Sequence, residues 1–448
     1  MSHRRARTTP HRTLLHVLAW AACVAVGAKA AGGGGGGGGE EPPAAGIERV
    51  LRELPAQPPS GDMLLAHRIA KLGRGVVPAL FDRLSRSAAG RLAAESTALD
   101  ESGRREKAVL LGALAALPEP DVRGEIALRL ACAPSAADRA AALYCCAAIG
   151  ASGELDSMLA IAEPELDPDG LEVAFDARVA DAVGELALRD TATWRRGLAV
   201  LPGLRAGPRL SLLRAAGANA GEEALSMLAR ALGVLASNRA DVLAAMQTAS
   251  QRASVPVHDE VRRAVRELLD SADDQVAAPA ALLSGRFEDA DAAEALVELL
   301  EHVSTSVRGN ALWSLQRISG LGMRADPRRW RAWIADERRW WNSEFEPARR
   351  ALRSAEPRAV RTAILELGRR RLGRDRLASE LATVLDHEDV DTAEIAAAAM
   401  GALRSRASIV ELEAARGRVA PRVQDAIDRA LGAIRAPASP PRTSGRRT

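Results

Sequence analysis

The stretch Ala295-Leu-Val-Glu-Leu-Leu300, a polar turn, and Ser306-Val-Arg-Gly-Asn-Ala-Leu-Trp-Ser-Leu-Gln-Arg-Ile318 decides the fold. It reads as two short amphipathic helices, each with alanine and leucine on one face. The second helix opens with a phrase that recurs: Gln275-Val276-Ala277-Ala278, Ser306-Val307-Arg308-Gly309, Arg358-Ala359-Val360-Arg361, Thr392-Ala393-Glu394-Ile395 and Arg422-Val423-Gln424-Asp425. Val276, Val307, Val360, Ala393 and Val423 are the equivalent positions, so the steps are 31, 53, 33 and 30 residues. Three steps fit one helix pair each, and the long one fits a pair plus an insertion. A period of that size marks an array in which each pair buries its apolar face only against its neighbours.

Outward from this stretch the chain remains helical in pattern. Met63 to Leu72, Val76 to Leu84, Arg105 to Leu117, Val122 to Leu130, Ala137 to Ile149, Glu154 to Ala162 and Val173 to Leu188 carry helical apolar spacing. Pro118-Glu119-Pro120-Asp121, Pro164 to Gly170 and Pro202-Gly203 punctuate the joints. Strand signals are nearly absent. The fold class that follows is all-α, an α-solenoid of helix pairs. Composition agrees, because the apolar fraction is 47% of 448 residues while aromatics are only 3%. A thin two-layer array closes with small side chains, whereas a thick core usually needs large ones.

The quoted stretch resembles a HEAT repeat, with a leucine-striped A-helix and a B-helix that begins Val-Arg. Val76-Val77-Pro78-Ala79-Leu80 is similar to an A-helix opening of that family, and Asp386-His387-Glu388-Asp389-Val390-Asp391 to its acidic A-to-B turn. The resemblance is to the armadillo-like, PBS-lyase HEAT-like group of secreted bacterial proteins. It covers residues 60 to 435, most strongly 289 to 320 and 377 to 435. It implies a scaffold or binding surface and specifies no reaction.

The N-terminus has the layout of a secretion signal. Arg4, Arg5, Arg7 and Arg12 precede an apolar run from Leu14 to Gly27, and Ala28-Lys29-Ala30 supplies small residues for cleavage. The run is too short and too interrupted for a good membrane span. Export to the periplasm or the exterior follows, with an N-terminal anchor if the signal stays uncleaved. Removal of residues 1–30 takes away five basic residues, so the net charge falls from +3 to −2. Nucleic acid is therefore not an expected partner. The remaining organisation is a Gly/Pro-rich linker at 31–45, repeats at 46–320, a Trp/Arg-rich insertion at 321–347, further repeats at 348–435, and a basic tail at 436–448. No transmembrane span is expected in the mature chain.

The insertion is the most distinctive local feature. Its Gly-x-x-x-x-x-Asp-Pro-x-x-Trp-x-x-Trp pattern is similar to an extension found in secreted HEAT-like proteins. Trp330, Trp333 and Trp341 share a helical face, which predicts packing across neighbouring B-helices with Trp313 as a contact; Trp340 adjoins them. An exposed face of this kind would instead be an aromatic platform for a glycan. From Arg324 to Arg376 there are 16 arginines against 8 acidic residues. Arg308, Arg328, Arg331, Arg361, Arg369, Arg370 and Arg371 are the candidate contacts for an acidic ligand or a protein partner.

Catalytic and metal signals are weak. Glu165-x-Asp167-x-Asp169-Gly170 with Asp176 distantly resembles a calcium loop, but the leading glutamate, Pro168 and Glu172 depart from it. Both this stretch and the acidic run from Asp386 to Asp391 read as ordinary turns. His67, His258, His302 and His387 are dispersed, and no nucleophile elbow or zinc motif is present. Cys132, Cys145 and Cys146 read as thiols packed as small apolar groups. The expectation is a non-catalytic scaffold with no cofactor and no metal, binding a protein through the concave face lined by B-helices. The alternatives are a glycan-binding module, or a bilin-lyase-like enzyme using a pocket beside Cys145 or Cys146.

Overall fold

The computed structural model describes residues 42–92, 101–132, 136–161, 165–166, 172–173, 176–252 and 257–435. The stretch expected to be a secretion signal, the glycine run and the tail from 436 lie outside them. Helix α1 (Pro43–Leu51) begins inside the stretch expected to be linker. Pro43 sits at its first turn, where a missing N–H costs nothing and a fixed φ favours helix.

The chain divides into two units, Met1–Asn219 and Ala220–Thr448. In the first, α1 is followed by α2 (Asp62–Ala70), α3 (Val76–Leu92), α4 (Glu101–Ala115), α5 (Glu119–Cys132) and α6 (Ala136–Ile149). Then come α7 (Leu155–Ala160), α8 (Asp176–Arg189), α9 (Ala192–Val200) and α10 (Ala206–Asn219). Main helices pack on ones two or three places further along: α2 on α4, α3 on α6, α6 on α8, α8 on α10. One antiparallel ladder, β1 (Glu165–Leu166) with β2 (Glu172–Val173), pairs Glu165 with Val173 and Leu166 with Glu172. It corrects the expectation that a helix starts at Val173. That helix starts at Asp176, and the calcium-like positions Asp167, Asp169 and Gly170 fall outside the described residues.

The second unit holds α11 (Glu222–Val234), α12 (Arg239–Arg252), α13 (Asp259–Arg266), α14 (Asp274–Arg286), α15 (Ala293–Glu298) and α16 (Thr305–Ser319). After them stand α17 (Pro327–Ser343), α18 (Phe345–Ala351), α19 (Pro357–Arg369), α20 (Arg374–Ala382), α21 (Val390–Leu403), α22 (Ser408–Arg416) and α23 (Pro421–Arg435). The B-helices form a layer in which α12 meets α14, α14 meets α16, α19 meets α21 and α21 meets α23. In the A-layer α11 packs on α13, α15 on α17 and α20 on α22. This is an all-α, solenoid-like repeat architecture.

The recurring phrase is the core of that layer, since Val276, Val307, Val360, Ala393 and Val423 are all buried. Asparagine, serine and aspartate favour helix starts because a side-chain oxygen can take an orphan N–H. Asp273 accepts from the Gln275 N–H at 2.8 Å, and Asp389 from the Thr392 N–H at 3.1 Å. The acidic turns are thus helix caps. Asp386 and Asp391 add ion pairs to Arg418 at 3.5 Å and Arg422 at 2.8 Å in the next repeat.

Small residues let the B-helices approach closely. A Cβ on Gly285 would lie 2.7 Å from the Ser314 Cα, and one on Gly401 would lie 2.9 Å from the Ala430 Cα. Such contacts explain how a chain with few aromatics excludes water from a two-layer core. Among the described residues no helix is long and apolar enough to cross a membrane.

Candidate functional site

The long step in the repeat is filled by α17 and α18. They are almost continuous, broken only at Glu344, and they take the place of an A-helix beside α15 and ahead of the B-helix α19. The insertion is therefore an A-helix lengthened at its start. Asp326 caps it by accepting the N–H groups of Arg328 and Arg329 at 3.0 and 3.3 Å, and Pro327 follows at the first position.

Its wholly buried residues are Trp330, Ile334, Glu337 and Trp340, at helical spacing. Trp330 is 0% exposed, and its indole Nε1 donates to the Arg324 carbonyl at 2.9 Å. That bond folds the segment leading into α17 back onto the helix. Trp333 is half-buried and meets Trp330 edge-on, with centroids 5.7 Å apart. Trp340 and Trp341 pack on Phe345 at 6.0 and 4.5 Å. The Arg370 guanidinium lies 4.8 Å from the Trp340 ring, and that of Arg376 lies 5.4 Å from the Trp341 ring. Gly373 presses on Trp341 from another side, where a Cβ would come within 2.7 Å of the ring.

An aromatic platform needs an open ring face. Trp330 and Trp340 have none, while Trp333 and Trp341 lie at the margins of the buried stripe. The expected contact with Trp313 does not form: that side chain sits on α16, 40% exposed, with no ring contact to the four tryptophans. Trp313 and Leu365, on the consecutive B-helices α16 and α19, are exposed apolar residues that spacing alone does not single out.

The arginines are dispersed among separate tasks. Arg308 donates to the carbonyls of His302 and Val303 at 2.6 and 2.8 Å, which closes the turn after α15. Arg361 pairs with Asp389 at 3.6 Å and Arg369 with Glu366 at 3.5 Å. Arg370 reaches Asp336, Glu337 and Glu366 at 3.5, 3.7 and 3.7 Å. Arg371 donates its backbone N–H to Glu337 and its side chain to the Ala402 carbonyl, at 3.1 and 3.2 Å. Arg328 is exposed at the start of α17. Carboxylates from adjoining elements thus absorb much of an excess that looks basic along the chain. Arg308 spends donors on its own turn and Arg361 pairs with the cap of the following B-helix, so they do not form a shared anion patch with the tryptophans.

Arg331 stands on the outer side of α17 and is bidentate to Glu298 of α15, at 3.1 and 2.9 Å. That pairing holds the Glu298 carboxyl below its ordinary value and raises the guanidinium of Arg331. Arg338 makes a second such pair with Glu294. Between α15 and α17 runs a groove of about 830 Å³. Ala295, Val297, Ile334 and Ala335 give it an apolar floor. The two ion pairs, with Arg339, Asn342 and Ser343, form its charged and polar rim. Only Arg331 of the groove was among the candidate contacts. The floor residues come from elements a repeat apart, and no local motif marks them.

Cys145 and Cys146 are free and buried in α6. Burial is the main cause that raises both thiols, Cys146 to about 12, and the next cause is the neighbouring Cys146 for Cys145 and Glu154 for Cys146. Two of the histidines are parts of turns: His302 Nδ1 accepts from the Ser304 N–H and His387 Nδ1 from the Asp389 N–H, at 3.1 and 3.0 Å.

No family model matches the chain, and no curated protein does. Solved structures do match, among them an engineered protein from the Northeast Structural Genomics Consortium. It is 16% identical, the match covering 87% of this chain and 99% of that one, with a TM-score of 0.26. A likeness of that size supports no inference about function.

Proposed function

We propose that this chain is an exported HEAT-like scaffold that binds a protein partner and carries out no chemistry of its own. The observation that supports it is the groove between α15 and α17. Its floor is apolar, its rim is charged, and both walls are helices of a packed array. A groove between two helices suits an amphipathic helix or an extended segment that inserts apolar anchors and exchanges charges at the edge. Rim pairs such as Arg331–Glu298 are exposed, so a partner carboxylate can replace Glu298 at small cost. This moves the binding surface from the B-helix arginines to the A-layer side of the lengthened helix. The buried indoles count against the glycan-binding alternative, and the buried thiols against the enzyme alternative.

The test is site-specific photo-crosslinking from Asn342, exposed at the rim, in the full chain within cell-envelope extract. A discrete protein adduct is expected, and Ala335→Arg, which fills the groove, is expected to abolish it. Either no adduct from the rim, or an adduct indifferent to Ala335→Arg, removes the proposal.

A further inference from the structure

In a helical array the contacts of one repeat normally stop at the next. The second unit contains an exception. Arg374, at the start of α20, is only 12% exposed, and its Nη2 meets the Glu288 carboxylate at 2.9 Å across 86 residues of sequence. The same guanidinium donates to the Leu403 carbonyl at 3.3 Å and to the Arg317 carbonyl at 3.5 Å. Glu288 follows α14, Arg317 is in the last turn of α16, Arg374 follows α19, and Leu403 ends α21. One side chain, itself placed just after α19, therefore joins the C-terminal ends of α14, α16 and α21. Carbonyls left open at helix ends attract a cation, and Arg317 and Leu403 supply one each, while the α14 end supplies the Glu288 carboxylate.

Glu288 lies at φ 51°, the left-handed region, just past the end of its B-helix, as Arg404 does at φ 53° after α21. After α16 that conformation is taken by Gly320, at φ 71°. Glycine adopts it at no steric cost, and a glutamate does not. The carboxylate is used: Glu288 accepts from Arg374 and also pairs with Arg317 at 3.4 Å. A parallel connection runs beside it. Arg262 of α13 donates to the Phe287 carbonyl at 3.2 Å and reaches Asp375 at 3.7 Å, while Asp375 accepts from Ser405 at 2.7 Å.

These links cross the one place where the B-layer lacks its usual packing. Among the described residues, α16 and α19 do not share the extensive helix-on-helix contact that joins α14 to α16 and α19 to α21. We propose that Glu288 and Arg374 form a latch that couples four repeats of the second unit across this break and sets the spacing of their B-helix ends. Opening it would let α14–α16 and α19–α23 move as separate blocks, and that motion would be felt by α17, which sits between them.

Hydrogen exchange on the full chain tests this, with peptides covering 284–292 and 371–378. Arg374→Gln should raise exchange at least tenfold in both segments, although only one is altered. Glu288→Gly is the sharper variant, because it relieves the left-handed strain while removing the carboxylate. A purely local role predicts that Glu288→Gly leaves 371–378 unchanged or better protected, and that result overturns the latch. Faster exchange at 371–378 in Glu288→Gly supports it, and this variant decides the matter if Arg374→Gln does not fold.

Discussion

Glu337 is buried in α17, and its Oε2 accepts the backbone N–H of Leu372 at 3.2 Å, 35 residues further along the chain. The same oxygen takes the Arg371 N–H at 3.1 Å, while Oε1 faces the Arg370 guanidinium at 3.7 Å. The turn between α19 and α20 therefore has its open N–H groups satisfied by the lengthened A-helix. This is how the insertion is tied into the repeat that follows it.

Replacing Glu337 by alanine leaves two backbone donors without their acceptor, while Arg370 keeps Asp336 and Glu366. A buried donor left unsatisfied costs about 1–3 kcal/mol, and that is the loss expected here. Asp336→Ala, one residue away but exposed, should fall within about 0.5 kcal/mol of the parent. Urea titration followed by tryptophan fluorescence separates the two, since Trp340 is packed beside this contact. Equal stability of both variants would remove Glu337 from this role.

Gly285 makes a different point about the B-layer. In an open helix Gly→Ala stabilises by about 0.5–1 kcal/mol. Here the added methyl would meet Ser314 Cα at 2.7 Å, and that is backbone-bearing carbon that cannot swing aside. Overpacking of this kind costs about 1–3 kcal/mol, so the net effect of Gly285→Ala is destabilisation. Gly309→Ala, where nothing lies within 4 Å, is the control and should be neutral or stabilising. Circular dichroism melts of the two variants check the sign.

The period of Val276, Val307, Val360, Ala393 and Val423 revealed the helix pairs because burial on a helical face is a local constraint, written every three or four residues. The lengthened helix was legible too, as a break in that period. Its groove was not, because Ala295 and Ile334 form one floor only after two repeats have stacked. The arginines show the same limit: Arg308 and Arg331 look alike in sequence, yet one closes its own turn and the other reaches a carboxylate on the preceding A-helix. Trp313 illustrates the converse, an aromatic on a helical face that stays exposed. A helical phrase gives the face a residue shares, and the neighbouring repeat decides whether that face is covered.

Trp330 should behave as a structural anchor. Truncation to alanine removes a fully buried indole and is expected to cost about 3–5 kcal/mol. Trp330→Phe retains most of the apolar volume but loses the bond to the Arg324 carbonyl, so about 1–2 kcal/mol is expected, with faster proteolysis between 320 and 326. Limited trypsin digestion reads the second effect directly at Arg324. Unchanged cleavage there in Trp330→Phe would show that the indole does not hold this segment.

Cys145 and Cys146 should be silent in the folded chain. With Cys146 raised to about 12, its thiolate fraction at pH 8 is only ~10⁻⁴, and both sulfurs are shielded from reagent. Iodoacetamide is therefore expected to leave both peptides unmodified under native conditions and to label both in denaturant. The raised values also give stability a pH dependence. The unfolded thiols ionise near their ordinary value of 9.0 while the folded ones stay protonated, so the unfolded state binds fewer protons above that pH. The stability associated with Cys146 is fully present below about 9.0 and is lost as the pH climbs through 9.0 towards about 12. Cys145→Ser/Cys146→Ser should flatten that decline in urea midpoints measured across the alkaline range, at the cost of a lower midpoint at neutral pH. A decline of the same slope in the double variant would assign it to other groups.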